Sequence, residues 1–342
     1  MRQSKSPLSA SSAANNTPHA VAASSLLSVS QSNSSGALAN VVFGNNKLDQ
    51  SALRTAVAEQ QAFGCELPLL AGDCPVENWH AGNQPVERGQ IGAMRWACGG
   101  GFLFVGLTLA CASADDITAL AKLAYEQLLA LVAESASPHL LRCWNYVPNI
   151  NGGMEQGNAD HEVYKRFCTG RLRAFEQAGL QSADFPAASA VGHAGDSLTI
   201  HLLASQTPGR HLTNTKQVDA FSYPRQYGIS SPSFARATLW QQGDDTVLLV
   251  SGTASIVGHE SLHIGDLGAQ VQVTFDNIGH LLDQANKQCQ QVQFVRVYLR
   301  HEEHLAEAKA LVEREYPQAE VVYLLADICR AELLVEIECF CA

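Results

Sequence analysis

Apolar and polar positions alternate along this chain in two runs of the same grammar, one in each half. In the first, Gly89 to Ala97 and Phe102 to Ala110 read as strands joined by Cys98-Gly99-Gly100-Gly101, a hairpin signal. Ile117, Leu120, Ala121, Ala124, Leu128 and Leu131 then recur at helical spacing behind a capping pair, Asp115-Asp116. A buried strand is predicted over Leu140 to Val147, a helix from about Asp160 to Gln177 stopped by Gly179, and an extended segment at Pro186 to Ala190. The second half repeats this order. Strands Ala235 to Gln241 and Thr246 to Ser251 flank Gln242-Gly243-Asp244-Asp245, and a helix carries Val271, Phe275, Ile278, Leu281 and Leu282. Strand Val292 to Leu299, helix His301 to Tyr316, and strands Val321 to Leu325 and Leu333 to Phe340 follow. Strand pairs followed by strand–helix alternation predict an α+β fold of two tandem units, each a mainly antiparallel sheet with helices packed on one face. The expected divisions are a Ser/Ala-rich disordered tail over 1–40, a first unit over 41–192, and a second over 193–342 that carries most of the site.

Composition narrows the function. Lys and Arg total 22 against 33 Asp and Glu in 342 residues, a net charge of −11, which argues against nucleic acid as a partner. Hydrophobic residues make up 46% and charged ones 16%, so most of the chain is expected to be globular. No apolar stretch reaches membrane-spanning length, the longest being Phe102 to Ala112. The segment Met1 to Leu48 holds no acidic residue, but it is poor in Arg and has no compact apolar core, so a tail is favoured over a targeting signal. Ten cysteines occur without a CxxC pair. Spacing alone permits a Cys65–Cys74 bridge, but reduced thiols in a cytoplasmic protein are the simpler account. With no ligand cluster or phosphate loop, neither a metal nor an organic cofactor is expected; His259 and His263 sit four apart, but among loop-forming residues.

Four local sequences ask for more than structure. Trp144-Asn145-Tyr146 ends the buried strand, and the helix after it carries Lys165, Arg166, Arg171 and Arg173. Arg near Tyr suits a small carboxylate, since the guanidinium forks onto two oxygens and the phenol adds a donor; a solvated basic helix face is the alternative. Tyr223-Pro224-Arg225-Gln226-Tyr227-Gly228 and the following Arg236 repeat that pairing. The run from Ser251 through Gly252, Thr253 and Ala254 to Ser261 ends a strand in small residues that expose backbone N–H groups. Finally, Ala326-Asp327-Ile328-Cys329-Arg330 precedes Leu334-Val335-Glu336-Ile337-Glu338. A carboxylate alternating with apolar residues either faces water or points into a dry cleft with a raised pKa, where it is a usable general acid. Glu336 and Glu338 share a face by the two-residue period.

Taken in order, WNY with the FCTGR helix, PAASAVG, YPRQYG with SPSFARA, SGTASIVGHES and ADICR with LLVEIE resemble the chorismatase family of chorismate hydrolases and 3-hydroxybenzoate synthases, and the second half resembles the RidA-like fold. The resemblance implies an enzyme that cleaves the enolpyruvyl ether of chorismate and releases pyruvate, with Glu336 as general acid. It implies that Tyr146, Arg171, Tyr223, Arg225 and Arg236, with Gly252 and Ala254, hold the dianionic substrate. Cys329, seven residues before Glu336, resembles the cysteine of the benzoate-forming members and would take the ring proton lost on aromatisation; a small apolar filler is its other reading. The favoured product is 3-hydroxybenzoate, with the 4-isomer as a possible companion. A dihydroxycyclohexadiene acid made by hydrolysis, an imine or enamine deaminase, and a non-catalytic sensor of aromatic acids are the competing expectations. RidA-like units form trimers, so monomer and homotrimer both remain open.

Overall fold

The computed structural model describes residues 27–31, 36–44, 62–82, 84–153, 159–285 and 291–342. Two seven-stranded sheets carry the repeated grammar. In the first, the core order is Ala187–His193, His139–Pro148, Ser197–Ser205, Phe102–Ala110 and Met94–Gly99. In the second it is Glu320–Leu325, Val292–Leu299, Val335–Cys341, Asp245–Val250 and Ala237–Gln242. Position by position the two orders match: a parallel pair joined by a helix, then a returning antiparallel strand, then a hairpin. The tandem α+β arrangement is therefore present. Its sheets are mixed, each with one parallel pair, because a strand–helix–strand crossover returns the chain in the same direction.

Helices α1 (Ile117–Glu134) and α2 (Val163–Gln177) cover the outer face of the first sheet; α3 (Leu267–Gln284) and α4 (Leu305–Glu315) cover the outer face of the second. The inner faces meet each other and a four-stranded sheet of residues from Ser28 to His80, burying Trp79, Phe104, Trp144, Trp240 and Phe340. Helix α1 packs on α2 closely enough that a Cβ at Gly170 would stand 2.3 Å from the Thr118 carbonyl oxygen. Bulk at that position would push the basic helix off its sheet.

Several expectations change. The run Gly89 to Ala97 is two strands, Glu87–Ile91 and Met94–Gly99, split by a turn at Gly92, whose φ is +58°. The hairpin at Gly100 and Gly101 is as expected, with φ of +59° and +83° at the two turn residues, values that glycine adopts freely. At the start of α1, Asp116 stands in the N-cap position without a side-chain cap bond. The division at 192/193 falls inside the first sheet, since Ser197–Ser205 runs between His139–Pro148 and Phe102–Ala110. The tail read over 1–40 includes a strand, Ser28–Gln31, paired with Val76–His80; residues 1–26 lie outside the described residues. Cys65 and Cys74 are both free thiols, and Cys289 lies outside the described residues. Among the described residues no helix is long and apolar enough to cross a membrane.

The halves also exchange edge strands. Asp327–Ile328 pairs with the first sheet at Val191, and Leu69–Ala71 pairs with the second sheet at Leu324. The first exchange pins the segment after Ile328 between the two units. There the cleft opens.

Candidate active site

Strand Val335–Cys341 lies in the middle of the second sheet, and its pleat divides its residues between two faces. Val335, Ile337, Cys339 and Cys341 pack toward α3 and α4. Glu336 and Glu338 point the other way, as the two-residue period predicts, and both are buried. Their surroundings differ. Glu338 accepts hydrogen bonds from Arg142 Nη2 at 2.6 Å and Trp144 Nε1 at 2.8 Å, and from the Ser189 hydroxyl, while Arg296 Nη1 lies 2.8 Å away. Burial pushes its pKa upward, but the Arg296 and Arg142 charges and these hydrogen bonds outweigh it and hold the carboxyl below its ordinary range. Arg296 is shared with buried Glu77, so two guanidiniums and two carboxylates balance beneath the cleft.

Glu336 is 4% exposed and stands at the floor of the cavity. Burial raises its pKa, the ionised Glu338 raises it further, Arg142 and Arg236 pull it back, and the result is about 8. At neutral pH the carboxyl keeps its proton. Its place depends on Gly252, where a Cβ would stand 1.8 Å from Glu336 Oε1. The glycine of the SGT sequence is thus required sterically, and its N–H donates to the Ser189 hydroxyl at 2.9 Å.

The cavity above has a volume of about 230 Å³. Tyr164 and Lys165 at the start of α2 form one wall, and Tyr223, Tyr227 and Phe234 form another. Ala254 lines it from the loop after Gly252, and Cys329 and Arg330 from the pinned segment. Two arginines here keep unused donors. Arg236 Nη2 donates to the Tyr223 hydroxyl at 2.8 Å and to the Val218 carbonyl, while its Nε is buried without a partner. Arg330 lies 4.1 Å from the Tyr227 ring centroid and donates through Nη1 to the His259 carbonyl and the Ser261 hydroxyl; its Nη2 is unpartnered. Buried donors without acceptors are costly, and an incoming carboxylate relieves them. Arg330, quoted in a motif but absent from the expected binding set, is one such group.

Arg171 is 1% exposed, its guanidinium 5.3 Å from the Phe167 ring, and it borders a small inner chamber next to Glu336. The solvated-face alternative does not hold for this residue. Two expected binding residues lie elsewhere. Tyr146 faces the inter-sheet core, where its hydroxyl accepts from Arg296 Nη1 at 3.2 Å; its burial against that network keeps it out of the cavity. Arg225 has a side chain 62% exposed and forks onto Asp160 at 2.8 and 3.0 Å, fastening the tyrosine-bearing segment to the residues before α2. Cys329 lines both chambers, and burial followed by the Glu336 charge raises its thiol, so this environment favours the neutral thiol over a thiolate.

Fold and cavity together define an α+β enzyme of two repeated units, with a protonated carboxyl and several arginines lining one cleft. Residues 77–204 match the family model described as chorismatase FkbO/Hyg5-like, N-terminal. A chorismatase from Streptomyces rapamycinicus is 34% identical over 304 residues, covering 84% of this chain and 85% of that protein. A 3-hydroxybenzoate synthase from Streptomyces hygroscopicus is 36% identical over 236 residues, covering 65% of this chain and 68% of that one. A crystal structure of a chorismatase superposes with a TM-score of 0.76 at 28% identity, covering 92% of this chain and 98% of its own. The chain belongs to the chorismatase family.

Proposed function

We propose that this protein cleaves the enolpyruvyl ether of chorismate and releases pyruvate and 3-hydroxybenzoate, with Glu336 as the general acid. The observation that carries the proposal is a carboxyl with a pKa of about 8 on the floor of a cavity where Arg236 and Arg330 keep unpaired donors. Chorismate brings two carboxylates to those donors. Glu336 gives its proton to the terminal methylene carbon of the enol ether, making an oxocarbenium ion, and the ether bond to the ring breaks. The hydroxyl oxygen on the neighbouring ring carbon bonds to the carbon the side chain has left, its bond to its own carbon breaks, and loss of the proton from that carbon restores aromaticity. One proton is added and one lost, and no water is consumed. Once it has donated, the Glu336 carboxylate stands beside the ring as a base and takes the ring proton; Cys329 remains a neutral thiol that occupies the space beside it.

The relatives' names point to chorismate, and the 3-hydroxybenzoate synthase among them favours the aromatic product over the dihydroxycyclohexadiene acid. A sensor has no use for a protonated buried carboxyl, and a single-carboxylate imine needs fewer arginines. Chromatography of the acids formed from chorismate by the purified protein tests the assignment. Equimolar pyruvate and 3-hydroxybenzoate are expected. The diene acid as main product would overturn the branch assignment, and unchanged chorismate would overturn the function.

A further inference from the structure

The first unit has a cavity in the place that the active site occupies in the second. Arg142 and Phe294 stand opposite Ala187 and Glu320, the first residues of the two returning parallel strands, so Tyr146 in one unit corresponds to Tyr298 in the other. Tyr298 is opposite Glu336 and Arg296 opposite Glu338; Tyr146 is opposite Thr199 and Trp144 opposite His201. Thr199 and His201 therefore stand where the second unit carries its two carboxylates. Both border a cavity of about 390 Å³, which shares no lining residue with the one above Glu336 among the described residues. Strand Ala62–Cys65 borders it as Ala187–His193 borders the acid.

The chemistry of this cavity differs. Thr199 Oγ1 lies 2.9 Å from Thr108 Oγ1, and a hydroxyl is far too weak an acid to protonate carbon. His201 is buried in edge contact with Phe63 and Tyr146, and burial with the Arg296 charge lowers its pKa to about 3, so it stays an uncharged ring. Arg95 is the one cation among the described lining residues; it donates through Nη1 to the Ala62 carbonyl at 3.3 Å, which sets its guanidinium at the wall. Glu66, the one carboxylate among them, lies 3.3 Å from His193 Nδ1. One guanidinium, two hydroxyls and aromatic carbon suit a small aromatic acid with a single carboxylate. A dicarboxylate would bring its second charge among Glu66 and uncharged groups. We propose that this cavity is a second, non-catalytic binding site for an aromatic monocarboxylate of about benzoate size, with the carboxylate on Arg95 and the ring toward Phe63 and the two threonines. The proposal does not depend on which substrate Glu336 serves.

The test is fluorine NMR of 3-fluorobenzoate with the wild type, Arg95→Met and Ala93→Trp. Ala93 lines the cavity from an exposed turn, so a tryptophan there fills the space and leaves Arg95 in place even if Arg95→Met fails to fold. The wild type should show a bound signal that Arg95→Met weakens about 10- to 100-fold, the worth of a charged hydrogen-bonded contact, and that Ala93→Trp abolishes. A separate signal from the arginines near Glu336 should persist in both variants. The uncharged 3-fluorobenzamide should give no signal from this cavity. No bound signal in the wild type, a signal that either folded variant keeps at full strength, or the amide bound as tightly as the acid would overturn the proposal. Failure of the wild type to turn over chorismate would sink the function at Glu336 instead, since the probe binds without any reaction.

Discussion

Replacing Glu336 with glutamine separates what this carboxyl does for chemistry from what it costs the fold. Its burial and the neighbouring Glu338 charge lift its pKa from 4.5 to about 8. In the unfolded chain the group ionises near its ordinary value, so between these two values the folded state binds more protons. Stability from this group is fully present below 4.5 and is lost progressively as pH rises toward 8. At pH 7 the loss is roughly 3 kcal/mol, about 1.4 kcal/mol for each pH unit above 4.5. Glutamine has the same shape and no charge, and escapes this loss. Urea unfolding of the two proteins is therefore expected to give similar stabilities near pH 5. By pH 7 the Gln variant should be ahead by an amount on the order of 3 kcal/mol. In the wild type, turnover should fall about tenfold for each pH unit above 8, because only the protonated carboxyl donates. A stability difference that stays flat across this range would refute the raised pKa, and with it the poised acid.

Gly252→Ala puts a methyl group on Glu336 Oε1, and the displaced acid should lose about 10²-fold in kcat while the fold persists, as measured by turnover beside a melting curve. Cys329→Ala opens space beside the acid in both chambers, and water admitted there should shift products from the aromatic acid toward the diene acid; an unchanged product ratio on chromatography counts against the space-filling role. Arg225→Ala removes an exposed ion pair and not a substrate contact, so KM should rise less than about fivefold; a rise of 100-fold would restore Arg225 to the binding set.

Much of this arrangement was legible along the chain because it follows local periodicity. The twin order of strands and helices came from alternation and 3.6-residue spacing, and the shared face of Glu336 and Glu338 from the strand period alone. What escaped was set by partners far away in sequence. Nothing near Arg225 announces Asp160, 65 residues earlier, which takes its guanidinium. Tyr146 reads as a strand-end donor, but its parity with Trp144 turns it toward Arg296, 150 residues on. Arg142 and Arg296 sit in apolar strands with no local mark of the ion network that holds Glu338 charged. Arg330 had a weak signal, since it follows Cys329 in a motif already singled out. The edge strands exchanged between units are too short for any periodic pattern, and strand Ser197–Ser205, central in the first sheet, carries that sheet past the expected division at 192.

Proton delivery by Glu336 is tested most directly by mixing chorismate with the wild type and with Glu336→Gln, following pyruvate release and measuring chorismate binding to the variant. Release slowed by about 10²–10⁴-fold, with affinity kept within a few-fold, is the predicted result. Pyruvate released by the variant at the wild-type rate would contradict it.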